Sequence, residues 1–188
     1  MMTKFLAWTA VATLSLASVV GYSHNHKLCS GFVEDNNMNI PVGFHMMGVT
    51  GGIDEAQFNK VMDRIELLYT PIVKAAGGNL SVVRNWTDGT VNAYAQQNGT
   101  TWEIQMFGGL ARHPAITEDA MAVVACHEIG HHIGGAPKVA NFWSTWASNE
   151  GQSDYFAGLK CLRLYFDAAS NTEWMKTNGA TVPAYAVQ

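Results

Sequence analysis

The chain has 188 residues, a length that suits one domain built around a single hydrophobic core. Hydrophobic residues make up 48% of it and charged residues only 14%, which excludes a disordered or low-complexity protein. The 15 acidic residues outnumber the 11 basic ones, which leaves no cluster of lysine and arginine for a phosphate backbone. We therefore expect no nucleic-acid partner.

Residues 1–23 have the pattern of a signal peptide. Lys4 is the one positive charge, and residues 5–20 are uncharged and mostly apolar. Small residues stand three and one positions before a cut after Ser23, and cuts after Ala17 or Ser18 are alternatives. We expect export to a secreted or periplasmic location and no membrane partner after cleavage. An uncleaved membrane anchor is the alternative.

The chain has three cysteines, Cys29, Cys126 and Cys161. In an exported protein this number predicts one disulfide and one free thiol. The alternative is three small buried thiols, because free cysteine is often found in protein interiors.

Residues 24–52 are rich in asparagine, glycine and histidine without a sustained hydrophobic period, which predicts an irregular leader. The folded domain is expected to span residues 53–188. Its first helix follows Asp54, which can form a capping box with Gln57, and it ends at Gly77. Pro71 either kinks this helix or starts a new turn. The apolar residues at helical spacing are Phe58, Val61, Met62, Ile65, Leu68 and Tyr69.

Three short strands are predicted next, at about residues 80–86, 91–97 and 100–107. Asp88-Gly89 lies in the first connection and Asn98-Gly99 in the second, and both dipeptides favour hairpin turns. We therefore expect a small antiparallel three-stranded sheet.

Two more helices follow the strands. Thr117 can cap the first of them, which is apolar on every side at residues 121–126 and should cross the middle of the domain. The last helix is expected at about residues 149–166. Helix, three strands, helix, helix is an α+β order.

The central helix carries the sequence His127-Glu128-Ile129-Gly130-His131. Two histidines four residues apart project from one face of a helix, with a spacing that suits a single metal ion. A catalytic zinc site has three protein ligands and an open fourth position. Zinc there activates a water molecule, and Glu128, beside the histidines, can take its proton as a general base. This is the chemistry of peptide hydrolysis.

The third ligand has two sequence alternatives. One class of zinc peptidases uses a third histidine shortly after the first pair, and Pro137 occupies that position here. The other class uses a glutamate on a later helix, and Glu150 in Asn-Glu-Gly-Gln-Ser-Asp satisfies this pattern. Asp154 shares a helical face with Glu150. It is placed to hold His127 by its other ring nitrogen.

At these residues the chain resembles the gluzincin metallopeptidases, with a thermolysin-type pair of motifs and an element order similar to the compact minigluzincins. The resemblance implies a zincin-like fold and a zinc metalloendopeptidase that acts on protein or peptide substrates, and we expect it to be a monomer. It implies zinc ligands at His127, His131 and Glu150, a general base at Glu128 and an orienting role for Asp154. It also implies that strand 100–107 forms the upper edge of the cleft, where an extended substrate pairs.

Two alternatives come from other functional classes. One is a zinc-bound, non-catalytic binding or inhibitory module whose open coordination position is blocked by Cys29 or a histidine of the leader. The other is an exported structural domain without metal. No histidine follows His132, so the histidine that larger family members use to stabilise the oxyanion has no counterpart. His132 itself lies off the ligand face and is expected at the rim of the site or in solvent.

The helix register also predicts a cysteine pairing. If His131 lies beside Glu150 and His127 beside Asp154, two straight antiparallel helices leave Cys126 and Cys161 about 9 Å apart, beyond the limit for a disulfide. We therefore expect Cys29 to pair with Cys161.

Overall fold

A computed structural model of the chain describes residues 31–43, 51–139 and 146–178. It is an α+β protein in which a three-stranded mixed sheet and several helices share one hydrophobic core. Within those three ranges, none of the helices has both the length and the hydrophobicity needed to cross a membrane. The predicted signal peptide, residues 1–23, lies outside the described residues.

Helix α1 spans Glu55–Ala75 and begins with the predicted capping box. The Asp54 carboxylate accepts a hydrogen bond from the Gln57 backbone N–H at 2.8 Å, and the Gln57 side chain accepts one from the Asp54 N–H at 3.0 Å. The helix continues through Pro71. Gly77 follows its end with φ of +94°, a conformation that glycine adopts without steric cost.

The sheet consists of β1 (Asn79–Asn85), β2 (Ala93–Asn98) and β3 (Thr101–Phe107) in the order β1-β3-β2. The predicted hairpin between β2 and β3 is confirmed, with Gly99 in its turn at φ of +58°. By contrast, β1 pairs with β3 and runs parallel to it. The expected antiparallel sheet is therefore wrong, because the first two strands do not form a hairpin.

The connection between β1 and β2 explains this difference. The Asp88 carboxylate accepts hydrogen bonds from the backbone N–H and the hydroxyl of Thr90, at 2.8 and 2.7 Å. Helix α2 (Gly108–Ala111), directly after β3, then binds the same connection: the N–H of Gly109 donates to Asp88 O and that of Leu110 to Thr90 O. Asp88-Gly89 thus forms a local turn held at the end of β3, and the chain passes on to the far side of β3.

Helix α3 spans Glu118–Ile133 and is capped by Thr117, whose hydroxyl accepts a hydrogen bond from Ala120 N–H at 3.1 Å. Almost every residue from Met121 onward is buried, as the apolar sequence predicts. The helix packs against α1, the sheet and the helix that follows it, so its side chains are held by the core.

The last predicted helix is interrupted. Helix α4 (Glu150–Phe156) passes into a π-helical turn (Ala157–Cys161) and then into α5 (Leu162–Tyr165). A further helix, α6 (Ala168–Asn178), was not predicted. The π-turn widens the helix, so the residues after it do not follow the straight register that the sequence suggested.

The disulfide joins Cys126 to Cys161, with their Cα atoms 5.6 Å apart. The expected pairing of Cys29 with Cys161 is therefore wrong. That expectation treated the two helices as straight and antiparallel, whereas Cys161 ends a π-helical turn that packs against α3. Disulfides form and persist in oxidising compartments, so this bond is consistent with the expected extracellular location.

Candidate metal centre

Two histidines of α3 project from the same side of the helix. The ring centroids of His127 and His131 lie 4.8 Å apart, with the ring planes at 84°. The two residues are only 3% and 0% exposed. The spacing of four residues places them on successive turns, and the buried helix holds both rings in the protein interior.

Glu150 reaches the histidines from the start of α4. Its Oε2 lies 3.0 Å from Nε2 of His127 and 3.6 Å from Nε2 of His131. Asn149 caps the helix by accepting a hydrogen bond from Gln152 N–H at 2.9 Å. One ligand atom from each of the three residues lies within 4.8 Å of the other two. The structure thus brings together the three ligand candidates that the sequence singled out.

Asp154 contacts the far side of the His127 ring, where its Oδ1 lies 2.8 Å from Nδ1. A carboxylate accepts hydrogen bonds, so this contact favours a proton on Nδ1. The other ring nitrogen, Nε2, faces Glu150 and the common centre, where it would offer its lone pair to a bound ion. The orienting position that the sequence suggested for Asp154 agrees with this contact.

A different group fixes the second histidine. Nδ1 of His131 lies 2.8 Å from the backbone carbonyl oxygen of Ser148 and 3.1 Å from the hydroxyl of Ser153. A carbonyl can only accept, so Nδ1 carries the proton and Nε2 carries the lone pair. The sequence did not indicate Ser148, because a backbone carbonyl leaves no signature in the residue type. Ser153 stood inside the quoted motif without an assigned role.

Burial also acts on the protonation of His131. Loss of solvent lowers the pKa of His131 below its ordinary value of 6.5. The hydrogen bond to the Ser148 carbonyl raises this pKa, but by less than burial lowers it. Burial therefore favours the neutral ring, which is the form that binds metal ions. Its Nε2 is buried and has no hydrogen-bond partner among the described residues.

Glu128 is fully buried beside the histidines, at 0% exposure. Neither of its carboxylate oxygens has a hydrogen-bond partner in the described part of the chain. Burial, and secondarily the negative charge of Glu150, raise the pKa of Glu128 well above its ordinary value. A buried carboxyl without partners is costly, and such groups are found where a site requires a proton acceptor or donor.

A glycine allows the two helices of the site to approach. A Cβ atom added to Gly130 would lie 2.9 Å from both the Cα atom and the carbonyl oxygen of Ser153. Cβ atoms in proteins essentially never approach another heavy atom so closely, so a larger residue at this position would require α4 to move. Gly130 is therefore a condition for placing Glu150 next to the two histidines.

The position expected for His132, at the rim or in solvent, is wrong. This residue is 6% exposed, and its ring stacks between Trp102 at 5.7 Å and Trp146 at 4.9 Å. Nε2 lies 3.0 Å from the carbonyl oxygen of Glu103, and burial lowers the pKa of the ring to about 4. Being neutral, it donates Nε2–H to β3. His132 thus attaches the end of α3 to the sheet, away from the metal ligands.

The expected cleft edge also differs. Strand β3 is the central strand and pairs on both sides, so it has no free edge for a substrate. The outer strand near α3 is β2. Along its edge lies residue Phe32 of the leader, whose ring meets that of His127 at 5.3 Å in a T-shaped arrangement. The aperiodic leader sequence had given no sign of this contact.

Comparisons of this chain with models of known protein families, with curated proteins and with solved structures found no match. Two imidazole nitrogens and one carboxylate oxygen converge on a common point, and the unpartnered Nε2 of His131 is the kind of atom that a bound ion satisfies. The group can hold a metal ion.

Proposed function

We propose that this protein is an exported, zinc-dependent metallopeptidase with a zincin-like fold, similar to the gluzincins. One observation carries the proposal: a buried Glu128 without hydrogen-bond partners stands beside a convergent His127, His131 and Glu150. Metal ligands alone would serve a structural site, and a partnerless carboxyl alone would only destabilise the fold. Their combination supports catalysis.

Zinc suits these donors better than a hard cation would. Imidazole nitrogens are ligands of zinc, copper, iron and nickel, whereas magnesium and calcium prefer sites made of oxygen atoms. Catalytic zinc sites typically have three protein ligands, and two histidines with one glutamate is one of the known combinations. In this proposal His127, His131 and Glu150 hold the ion through two Nε2 atoms and one carboxylate oxygen.

When bound, zinc supplies Lewis acidity that polarises a carbonyl and lowers the pKa of water. The protein supplies the proton transfers. Glu128 accepts a proton at a carboxylate oxygen from the attacking water and returns it to the nitrogen of the leaving amine. Burial raises the pKa of Glu128, which makes its carboxylate a stronger base than that of an exposed glutamate.

The other residues keep the ligands in place. Asp154 and the Ser148 carbonyl fix the tautomers of the two histidines, so that both Nε2 lone pairs stay available for a metal. The outer edge of β2 is the surface where an extended peptide backbone would pair. Protein or peptide substrates are therefore the proposed partners, acted on by a monomer.

The test is Glu128→Gln in the exported chain. This variant keeps the shape of the side chain and removes its basicity, so it should retain about one zinc per chain while cleavage of a mixed peptide library falls by about 10² to 10⁴. Glu55→Gln is the matched control, since Glu55 is exposed at the start of α1. It should cleave like the wild type, and a chelator should stop both.

Two other outcomes decide against the proposal. If zinc binds but neither the wild type nor a Phe32→Ala chain, with His127 uncovered, cleaves any peptide, the protein is a non-catalytic metal module. If no zinc binds to any of these chains, neither interpretation stands and the protein is a structural domain without metal.

A further inference from the structure

Residues 31–40, here called the strap, run antiparallel to residues 89–93, which comprise the end of the β1–β2 connection and the first residue of β2. The backbone N–H of Phe32 donates to the carbonyl oxygen of Ala93 at 3.1 Å. Farther along the strap, Asn39 forms an isolated antiparallel bridge with Thr90. The strap thus runs in the direction opposite to residues 89–93.

A buried side chain holds the strap by its backbone. Asn92, which is 1% exposed, accepts a hydrogen bond from the N–H of Val33 at 2.9 Å and donates its own amide to the Val33 carbonyl oxygen at 2.8 Å. Both bonds go to backbone atoms. Any extended peptide presents the same two groups, so this contact does not depend on the side chain at position 33.

The start of the strap is fitted closely to the site. The Phe32 ring covers an edge of His127. Gly31 has φ of +91°, and a Cβ atom added to it would lie 2.5 Å from Cε1 of Tyr94 and 2.8 Å from Nδ2 of Asn92. Only glycine fits at this point, for reasons of both conformation and space.

The two ends of the strap are held differently. At the far end, Ile40 N–H donates to the Gly89 carbonyl oxygen at 2.8 Å, and the Arg112 guanidinium donates twice to the Ile40 carbonyl oxygen, at 2.9 and 2.7 Å. At the near end, the described hydrogen bonds are those of Phe32 and Val33, and all of them join neutral groups. Charge-assisted hydrogen bonds such as those of Arg112 are the stronger kind, so the near end is the more weakly held of the two.

We propose that the strap is an autoinhibitory segment: residues 31–33 occupy the start of the β2 edge, at Asn92 and Ala93 beside His127, and compete there with an extended peptide. The consequence for cleavage rests on the proposed peptidase function. A peptide can pair with this part of β2 only in molecules whose strap is open, so the apparent affinity equals the intrinsic affinity multiplied by the open fraction. Release of the near end would activate the site.

The test measures access to His127 in metal-free protein, so that it requires neither zinc nor catalysis. Diethyl pyrocarbonate modifies accessible imidazoles, and peptide mapping gives the rate at His127. Phe32→Ala removes the covering ring, and Gly31→Ala displaces the near end by steric conflict. If each variant raises the fraction of molecules with an open strap by about 10-fold, the modification rate at His127 should rise by the same factor. Gly31→Ala also serves if Phe32→Ala fails to fold.

Met38→Ala is the matched control, because Met38 lies in the strap with its side chain 45% exposed. It should leave the rate at His127 unchanged. If Phe32→Ala and Gly31→Ala both match this control, the strap does not cover the site and the proposal is wrong.

A second measurement separates this proposal from the proposed function. In zinc-loaded chains, Phe32→Ala and Gly31→Ala should cleave a mixed peptide library faster than the wild type and Met38→Ala. If His127 becomes accessible in these variants but none of the chains cleaves, the strap stands as a cover and the peptidase function fails. If cleavage occurs at equal rates in all four chains, the strap is no inhibitor.

Discussion

The two halves of the candidate metal centre are built in different ways. His127 and His131 stand on an unbroken, buried helix, and almost no part of either is exposed. The carboxylates of Glu150 and Asp154 stand on the short helix α4, and their side chains are 47% and 69% exposed. The core fixes the histidines, whereas a few specific contacts fix the carboxylates.

Those contacts can be named. Asn149 caps α4, Gly130 lets the α4 backbone approach α3, and the bond between Cys126 and Cys161 ties the π-turn to α3. Each one acts on a different part of the interrupted helix. The position of Glu150 should therefore respond to changes that leave the histidine pair in place.

The largest effect is expected from the carboxylates themselves. Glu150→Ala removes a ligand and should lower zinc affinity by more than about 100-fold, whereas Asp154→Ala removes only an orienting partner and should lower it by about 10- to 100-fold. Competition with a chelator of known affinity measures both. Neither change should unfold the protein, because both side chains are partly exposed.

Glu34→Ala serves as the control for this pair, since Glu34 is an exposed carboxylate on the strap, and it should bind zinc like the wild type. Should Asp154→Ala abolish binding while Glu150→Ala preserves it, the ligand and the orienting residue are exchanged and the exposed half of the site has been misassigned.

The disulfide should have the next largest effect. Its two cysteines are 35 residues apart in sequence, and removing such a bond typically costs about 2–4 kcal/mol of unfolding free energy. The double variant Cys126→Ser/Cys161→Ser avoids leaving one member of the pair as an unpaired thiol, and urea denaturation measures the loss. Cys29→Ser is the control, because Cys161 already has its partner, and it should change stability by less than about 0.5 kcal/mol. A comparable loss for Cys29→Ser would show the pairing to be different.

The sequence predicts the histidine half of the site better than the carboxylate half. The helical period and the capping box are local, so α1, α3 and the shared face of His127 and His131 could be predicted. The parallel pairing of β1 with β3 depends on contacts between the β1–β2 connection and α2, far apart in sequence. No local pattern encodes such contacts.

The carboxylate half shows the limit most clearly. The motif placed Glu150 and Asp154 on one helix, and they lie there. The π-turn that follows was not predictable from helical periodicity, since it adds a residue to one turn without changing the residue types. The predicted disulfide pairing was therefore wrong, because it assumed a straight helix up to Cys161. The contact of Phe32 with His127 was missed because the leader has no period at all.

The smallest effect is expected when the N-terminal cap is removed from each of the two helices, which compares the two halves of the site directly. Asn149 caps α4 and Thr117 caps α3, each through one hydrogen bond from a backbone N–H, at 2.9 and 3.1 Å. Substitution of such a cap by alanine costs about 1 kcal/mol. Asn149→Ala and Thr117→Ala should therefore lower the unfolding free energy by similar amounts.

Their effects on metal binding should differ. Glu150 directly follows Asn149, so fraying of the first turn of α4 moves a proposed ligand, and Asn149→Ala should lower zinc affinity by about fivefold, the equivalent of the lost cap. Thr117 lies almost three helical turns before His127, and the buried turns between them hold the histidines, so Thr117→Ala should leave zinc affinity unchanged. Denaturation and chelator competition on the same samples give both quantities. Equal losses of zinc affinity in the two variants would show that α3 is no more firmly held than α4.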